Sequence, residues 1–341
     1  MSFLGTIITA ERTPSTSEFL FVLSPEANVK KGQYVQTSNP QGIVFGVVNE
    51  LVRTNKYFER AESVAEYERI TEMSKNFPVD AWNYTVGEVK ILGTFDNDKF
   101  MRAYVPPLPG TRVFDADKRM LEKFLGFTDD GLNIGMLQNH DLEVRLDLTR
   151  LLQKHLAILA MSGAGKSHLA SVLIEELLDR PPEKGRIAIV VIDIHGEYCG
   201  FASDPHYANQ VIMIDGKDIR MPLRKLSPEL IEEWIPHATQ AGKELLRKVL
   251  YELKANTKSP YSLKEVLAAI EESKHARDEV KRPLSRALEE LGRLRFLSRA
   301  KENPRLSKVV RPGRMLILDF SSIDSLRKKQ ILTALIARKL F

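Results

Sequence analysis

The sequence of 341 residues holds a single cysteine, Cys199, so an internal disulfide is excluded and a dithiol redox cycle has no second thiol to complete it. No uninterrupted apolar run approaches the roughly 20 residues that a membrane helix needs. The N-terminus, MSFLGTIITAERT, lacks the basic segment and cleavable apolar stretch of a secretory leader. These absences predict a soluble, cytoplasmic protein with no membrane partner. No Cys/His cluster has zinc-site spacing and no aromatic-rich segment forms a stacking platform, so base-specific nucleic-acid recognition is not indicated. Repeats and low-complexity tracts are also missing. What is present, 43% hydrophobic and 28% charged residues, is ordinary for globular chains and excludes wholesale disorder. At roughly 100 to 200 residues per domain the length suggests two domains.

The texture of the chain changes near its middle. Before about residue 105, short alternating runs broken by turn residues predict strands at Phe3 to Thr9, Glu18 to Leu23, Gln33 to Ser38, Val44 to Leu51, Tyr84 to Leu92 and Lys99 to Val105, as in a small barrel. A polar stretch from Arg53 to Met73 fits a helix or mobile loop better than a strand. Residues 111–150 read as a connector with a short helix, Asp117 to Leu125, and a strand-like run, Leu142 to Leu148. From 151, apolar strands alternate with amphipathic helices: a strand at Leu156 to Ala160, a helix from Lys166 to Leu178, and strands at Ile187 to Ile194 and Gln210 to Ile214. Residues 227 to 303 carry almost no strand signal. Ser227-Pro228 supplies a helix cap and Ser262 to Glu265 has capping-box spacing, which predicts a helical insertion. The strand Met315 to Phe320 and a helix from Ser325 resume the earlier pattern. The expected fold is α/β: a small β-barrel over 1–110, a connector over 111–150, a P-loop core over 151–226, a helical insertion over 227–310 and the core resumed over 311–341.

The sharpest local signal is Ala160-Met161-Ser162-Gly163-Ala164-Gly165-Lys166-Ser167, placed between an apolar run and an amphipathic helix as a phosphate-binding loop requires. Gly163 and Gly165 let the backbone curl so that its N–H groups, with that of Ala164, point at phosphate, and the helix N-terminus adds positive partial charge. Lys166 reaches the β and γ phosphates in such loops, the Ser167 hydroxyl joins the Mg²⁺ shell, and His168 completes the candidate nucleotide-binding set. Ala160 stands where the pattern usually has glycine. The bland alternative is a strand-to-helix turn with a chance lysine. A GTPase would add Asn-Lys-x-Asp after this loop and an ABC ATPase a Leu-Ser-Gly-Gly-Gln-like signature; neither occurs, which leaves a translocase or helicase type of ATPase.

The strand ending at Asp193 is followed by Ile194-His195-Gly196-Glu197-Tyr198. Carboxyl ends of strands face the ligand in open α/β sheets, so Asp193 is a candidate to hold a magnesium-bound water and Glu197 to position an attacking water. The alternative is that Asp193 caps a turn and Glu197 is merely solvated.

His155 to Ser167, Asp193 to Tyr198, Leu316 to Ser322 and the stretch Arg53 to Tyr67 together resemble the HerA family of hexameric DNA translocases, archaeal type, relatives of FtsK. The resemblance spans nearly the whole chain. It implies that the barrel is a HAS-barrel, a subunit-contact module, and that the remainder is a RecA-like motor core. It further implies ATP and Mg²⁺ as cofactors, a homo-oligomeric and hexameric ring, double-stranded DNA threaded through it, and a NurA-type nuclease as partner in resecting DNA ends. Lys166 and Ser167 take Walker A roles, Asp193 and Glu197 form the acidic motif, and Lys154 matches a basic position that touches nucleotide. The resemblance also calls for a later strand with a Glu-Glu-Ala-His-like Walker B motif and an arginine finger, neither present here. With the apolar helical pattern still running at Phe341, it predicts a chain truncated at its C-terminus.

Between Lys281 and Arg314, eleven basic residues face three acidic ones, a local excess of +8 inside a chain whose net charge is +5. Such a patch suits sequence-independent, salt-sensitive phosphate contact, with Arg293 and Arg295 as candidates for DNA or subunit contact; a solvated helix face explains it equally well. Two further readings stand beside the translocase: a nucleotide-binding ring scaffold that docks a nuclease and hydrolyses little, and a small-molecule kinase, which the N-terminal barrel disfavours.

Overall fold

The computed structural model describes residues 2–9, 13–55, 58, 64–65, 83–96, 99–256, 258–274 and 276–340. The chain forms two compact units, Met1–Ala157 and Ile158–Phe341.

The first unit is built on β1 (Phe3–Ile8), β2 (Glu18–Leu23), β3 (Tyr34–Asn39), β4 (Gly42–Asn55), β5 (Asn83–Asp96), β6 (Lys99–Met101) and β7 (Arg112–Asp115). Their order is β2-β1-β7-β3-β4-β5, and β5 pairs back onto β2, closing a six-stranded barrel with β6 hung on β5. Alternation drives it: Leu4, Ile7, Phe19, Phe21, Val35, Val44, Val48 and Val89 point inward as one apolar core. The long strands β4 and β5 bend through register shifts at Phe45/Gly46 and Val48/Glu50, the device by which a small sheet curls shut. Gly5 permits the close approach of β1 and β2, because a Cβ there would lie 2.0 Å from the Val22 carbonyl oxygen.

Five of the six expected strands form nearly as read and the sixth is cut short to Lys99–Met101; β4 runs on to Asn55, so Arg53 to Asn55 are strand, and most of the remaining stretch to Met73 lies outside the described residues. The seventh strand, β7, falls within the stretch read as connector and is an integral stave of the barrel. The rest of that stretch also packs down. Helix α1 (Lys118–Leu125) is capped by the Asp117 carboxylate and ended by Gly126 in the left-handed region. Its Phe124 stacks on Phe45 at 5.6 Å, on the face of β4 opposite the barrel core. The hairpin β8 (Leu132–Met136) and β9 (Glu143–Leu146) precedes α2 (Leu148–Leu152). In the loop of that hairpin, His140 Nε2 accepts the Tyr34 amide at 2.9 Å, and burial holds the imidazole pKa below its ordinary value.

The second unit contains α3 (Lys166–Asp179), β10 (Ile189–Asp193), α4 (Gly200–Ser203), β11 (Val211–Asp215), β12 (Met221–Pro222), α5 (Pro228–Trp234), α6 (Gln240–Asn256), α7 (Leu263–Glu272), α8 (Asp278–Arg293), β13 (Leu297–Ser298), α9 (Leu306–Val309), β14 (Met315–Asp319) and α10 (Leu326–Leu340). Strand β14 lies between β10 and β11, all parallel. It is buried on both faces, which its unbroken apolar run anticipates. Met315 and Ile317 pack with Leu178 of α3, whereas Leu316 and Leu318 join the large core of helices α5 to α8. The caps read from sequence are in place: Ser227 accepts the Leu230 amide, and Ser262 with Glu265 forms the capping box. No described helix is long and apolar enough to cross a membrane.

One expected element is absent. Residues 155–161 take no regular secondary structure and belong to no sheet among the described residues, and Leu159 and Met161 are 91% and 84% exposed. A strand exists only when a neighbour satisfies its backbone groups, and here no strand of the β10-β14-β11 sheet pairs with this segment. The apolar composition of Leu156 to Ala160 carries β propensity without supplying the partner.

Candidate functional site

The loop before α3 adopts the curl that its glycines allow. Gly163 and Gly165 sit at φ 79° and 85°, and a Cβ built on either would meet nothing within 4 Å, so these positions are glycine for their backbone conformation and face open space. Gly165 is the N-cap of a 14-residue helix with no side-chain cap, which leaves its first N–H groups directed at the mouth of the loop. Lys166 opens the helix; its ammonium is exposed and has no hydrogen-bond or ion-pair partner among the described residues. Ala164 and His168 are exposed beside it.

The acidic motif divides its labour unevenly. Asp193 ends β10 and is 2% exposed. Its Oδ1 accepts the amides of His195 (3.3 Å), Gly196 (2.8 Å) and Glu197 (3.1 Å), and its Oδ2 accepts that of Tyr198 (2.8 Å). The carboxylate therefore organises the loop that follows it, helped by Gly196 at φ 79° and by Lys329 Nζ donating to the Ile194 carbonyl. Glu197 is the acid this loop delivers: its Oε2 accepts the Ser167 hydroxyl at 2.6 Å, tying the acidic motif to the first turn of α3. A serine hydroxyl that donates to a carboxylate keeps its lone pairs free for a cation. Burial and the Glu197 charge push the Tyr198 phenol pKa up, and burial together with Asp319 and Asp193 raises the Cys199 thiol, which is thereby kept protonated and poorly nucleophilic.

An open glycine curl at a helix N-terminus, a free lysine and a Ser–Glu oxygen pair beside it suit a nucleotide phosphate chain with a hard divalent cation. Of the residues expected from sequence, Gly163 to His168 and Glu197 come together here. Asp193 reaches them only through the backbone it caps. Lys154 is exposed in the unit that ends at Ala157. Arg293 and Arg295 lie elsewhere, beside Lys217, Arg220 and Lys328.

The model of the HerA helicase central domain matches residues 132–340, and that of the HAS barrel domain matches residues 7–97. The chain belongs to the HerA helicase family. Among its relatives, a DNA double-strand break repair helicase HerA of Pyrococcus furiosus is 28% identical over 67% of this chain and 40% of its own length. A probable DNA double-strand break repair helicase HerA of Methanocaldococcus jannaschii is 36% identical over 46% of this chain and 32% of its own. A probable helicase of the same organism is 34% identical over 50% and 32% respectively. The aligned part of the chain thus spans between about a third and two fifths of these relatives. HerA family membership implies nucleotide use, and the closed six-stranded barrel is the family's HAS barrel.

Sequence reasoning missed Lys217, Arg220 and Lys328. For Lys328 a signal existed: it shares spacing with Ile331, Leu332 and Leu335, the apolar face of α10, where a lysine is out of place.

Proposed function

We propose that this chain is an ATP-dependent DNA translocase or helicase subunit that works in double-strand-break repair. The observation carrying the proposal is the Ser167–Glu197 hydrogen bond, which joins a loop built for phosphate to an acidic motif built for hydrolysis. The loop amides from Gly163 to Lys166 and the Lys166 ammonium bind the phosphates, and Ser167 and Glu197 offer oxygen to the cation shell. When bound, Mg²⁺ neutralises charge on the phosphate oxygens. Glu197 orients and deprotonates the attacking water, and Asp193 acts as a positioning residue through the amides it holds. Lys154 is assigned a nucleotide contact on the strength of the family pattern alone. Within this reading the assembly is a homo-hexameric ring around double-stranded DNA, and a NurA-type nuclease resects the ends it delivers.

The test is ATP hydrolysis with and without duplex DNA. DNA-stimulated hydrolysis should be present in the parent protein and lost in Lys166→Ala. A rate unchanged by that substitution overturns the proposal.

A further inference from the structure

A second basic site lies at the carboxyl end of the same sheet, on the β11 and β14 side. A cleft of about 530 Å³ opens between the turn after β11, the end of α8 and the N-terminus of α10. Five cations line it, Lys217, Arg220, Arg293, Arg295 and Lys328, against the carboxylates of Asp218 and Asp324. Lys328 decides its character. The residue is 8% exposed, and its ammonium has no hydrogen-bond or ion-pair partner among the described residues. Burial, then the nearby Arg220, holds its pKa below the ordinary lysine value, while Asp215 opposes this and Lys217 adds to it. Asp215 is the nearby carboxylate that favours the charge, but it makes no direct ion pair with the Lys328 ammonium among the described residues; its Oδ1 accepts the Ser322 hydroxyl and the Lys217 amide.

An unpaired, nearly buried ammonium is costly unless an anion completes it. Two more cations, Arg293 and Arg295, stand at the rim, exposed and without partners among the described residues. The N-terminus of the 15-residue α10, capped by Ser325, contributes partial positive charge to the same cleft.

We infer that this cleft is a second phosphate-binding site, separate from the Gly163 to Ser167 loop, with the Lys328 ammonium at its floor and the Arg293 and Arg295 guanidinium groups closing over the oxygens. Its ligand is a phosphate group, borne either by a small oligophosphate or by a nucleic-acid backbone. Arg is suited to the rim because its planar fork matches phosphate oxygens in pairs.

The experiment uses the whole chain carrying Lys166→Ala, so that the first loop is disabled and the two readings fail separately. Sodium tripolyphosphate is titrated calorimetrically at low salt, and a duplex oligonucleotide is titrated in parallel as salt is varied. The expected result is saturable binding of at least one of these probes, weakened roughly tenfold or more by Arg293→Gln with Arg295→Gln. Loss of tripolyphosphate binding identifies a small phosphate as the ligand; loss of duplex affinity with a shallower salt slope identifies the backbone. Both rim positions are exposed, and unchanged circular dichroism certifies the fold. Lys217→Gln, also exposed, gives a second readout of the same direction. The inference is overturned if neither probe binds, or if both bind equally to the Lys166→Ala protein with and without the rim substitutions.

Discussion

Asp193→Asn isolates the claim that this carboxylate builds the Glu197 loop. The native side chain accepts four backbone amides, three on Oδ1 and one on Oδ2. Asparagine keeps one acceptor oxygen and places an NH₂ opposite the other donor. With the oxygen toward His195, Gly196 and Glu197, the new amine faces the Tyr198 N–H, donor against donor. Hydrogen bonds to a charged acceptor contribute about 1.5 to 3 kcal/mol and neutral ones about 0.5 to 1.5. Taken as additive, weakening three and losing one would cost about 4.5 kcal/mol or more; because three of the bonds share one oxygen and do not add, the loop should lose about 2 to 4 kcal/mol, of which the lower bound already corresponds to a roughly 30-fold change in an equilibrium constant. Amide hydrogen exchange in metal-free buffer reads this directly: protection at Gly196, Glu197 and Tyr198 should fall about 30-fold or more, with the barrel amides unchanged. If protection is retained without Mg²⁺ and only Mg²⁺-dependent nucleotide binding is lost, Asp193 is a cation ligand and the positioning argument is wrong.

Other perturbations address the scaffold. Gly5→Ala would drive a methyl into the Val22 carbonyl of the paired strand and should destabilise the barrel by about 1 to 3 kcal/mol in urea denaturation; a neutral result would mean that β1 and β2 do not approach as described. Phe296 is fully buried with its ring 5.5 Å from Trp234, so Phe296→Ala should cost about 3 to 5 kcal/mol in the second unit, measured as a lowered denaturation midpoint. Glu302 is held below the ordinary carboxylate pKa because ion pairs with Lys225 and Lys339 outweigh its burial. A lowered folded pKa means that this stabilisation is complete above the unfolded value near 4.3 and is lost as pH falls through the folded one. Glu302→Gln should flatten that part of the acid-unfolding profile, and an unaltered acid slope would refute the assignment.

The barrel was legible because alternation reports one buried face directly. Its seventh strand, Arg112–Asp115, was not, because four residues are too few to show a period and its pairing with β1 and β3 is wholly long-range. The segment at Leu156 to Ala160 failed for the complementary reason: composition marks a strand, but pairing makes one. At the site, glycine spacing announced the Gly163 to Ser167 curl, and the capping alternative for Asp193 proved to be its geometry. Asp193 spends its hydrogen bonds on the turn it caps, and Glu197 is the acid that touches Ser167 directly. The cleft floored by Lys328 was scarcely legible, because its lining comes from three separated segments that the long-range β11-β14 and β12-β13 pairings bring together.

The most direct test of the account is calorimetric titration of Mg²⁺-ATP into the parent chain, Lys166→Ala and Glu197→Gln. The parent should bind saturably, Lys166→Ala should lose roughly tenfold or more in affinity, and binding by Glu197→Gln should respond less steeply to Mg²⁺. Equal affinity and equal Mg²⁺ dependence in all three proteins would contradict it.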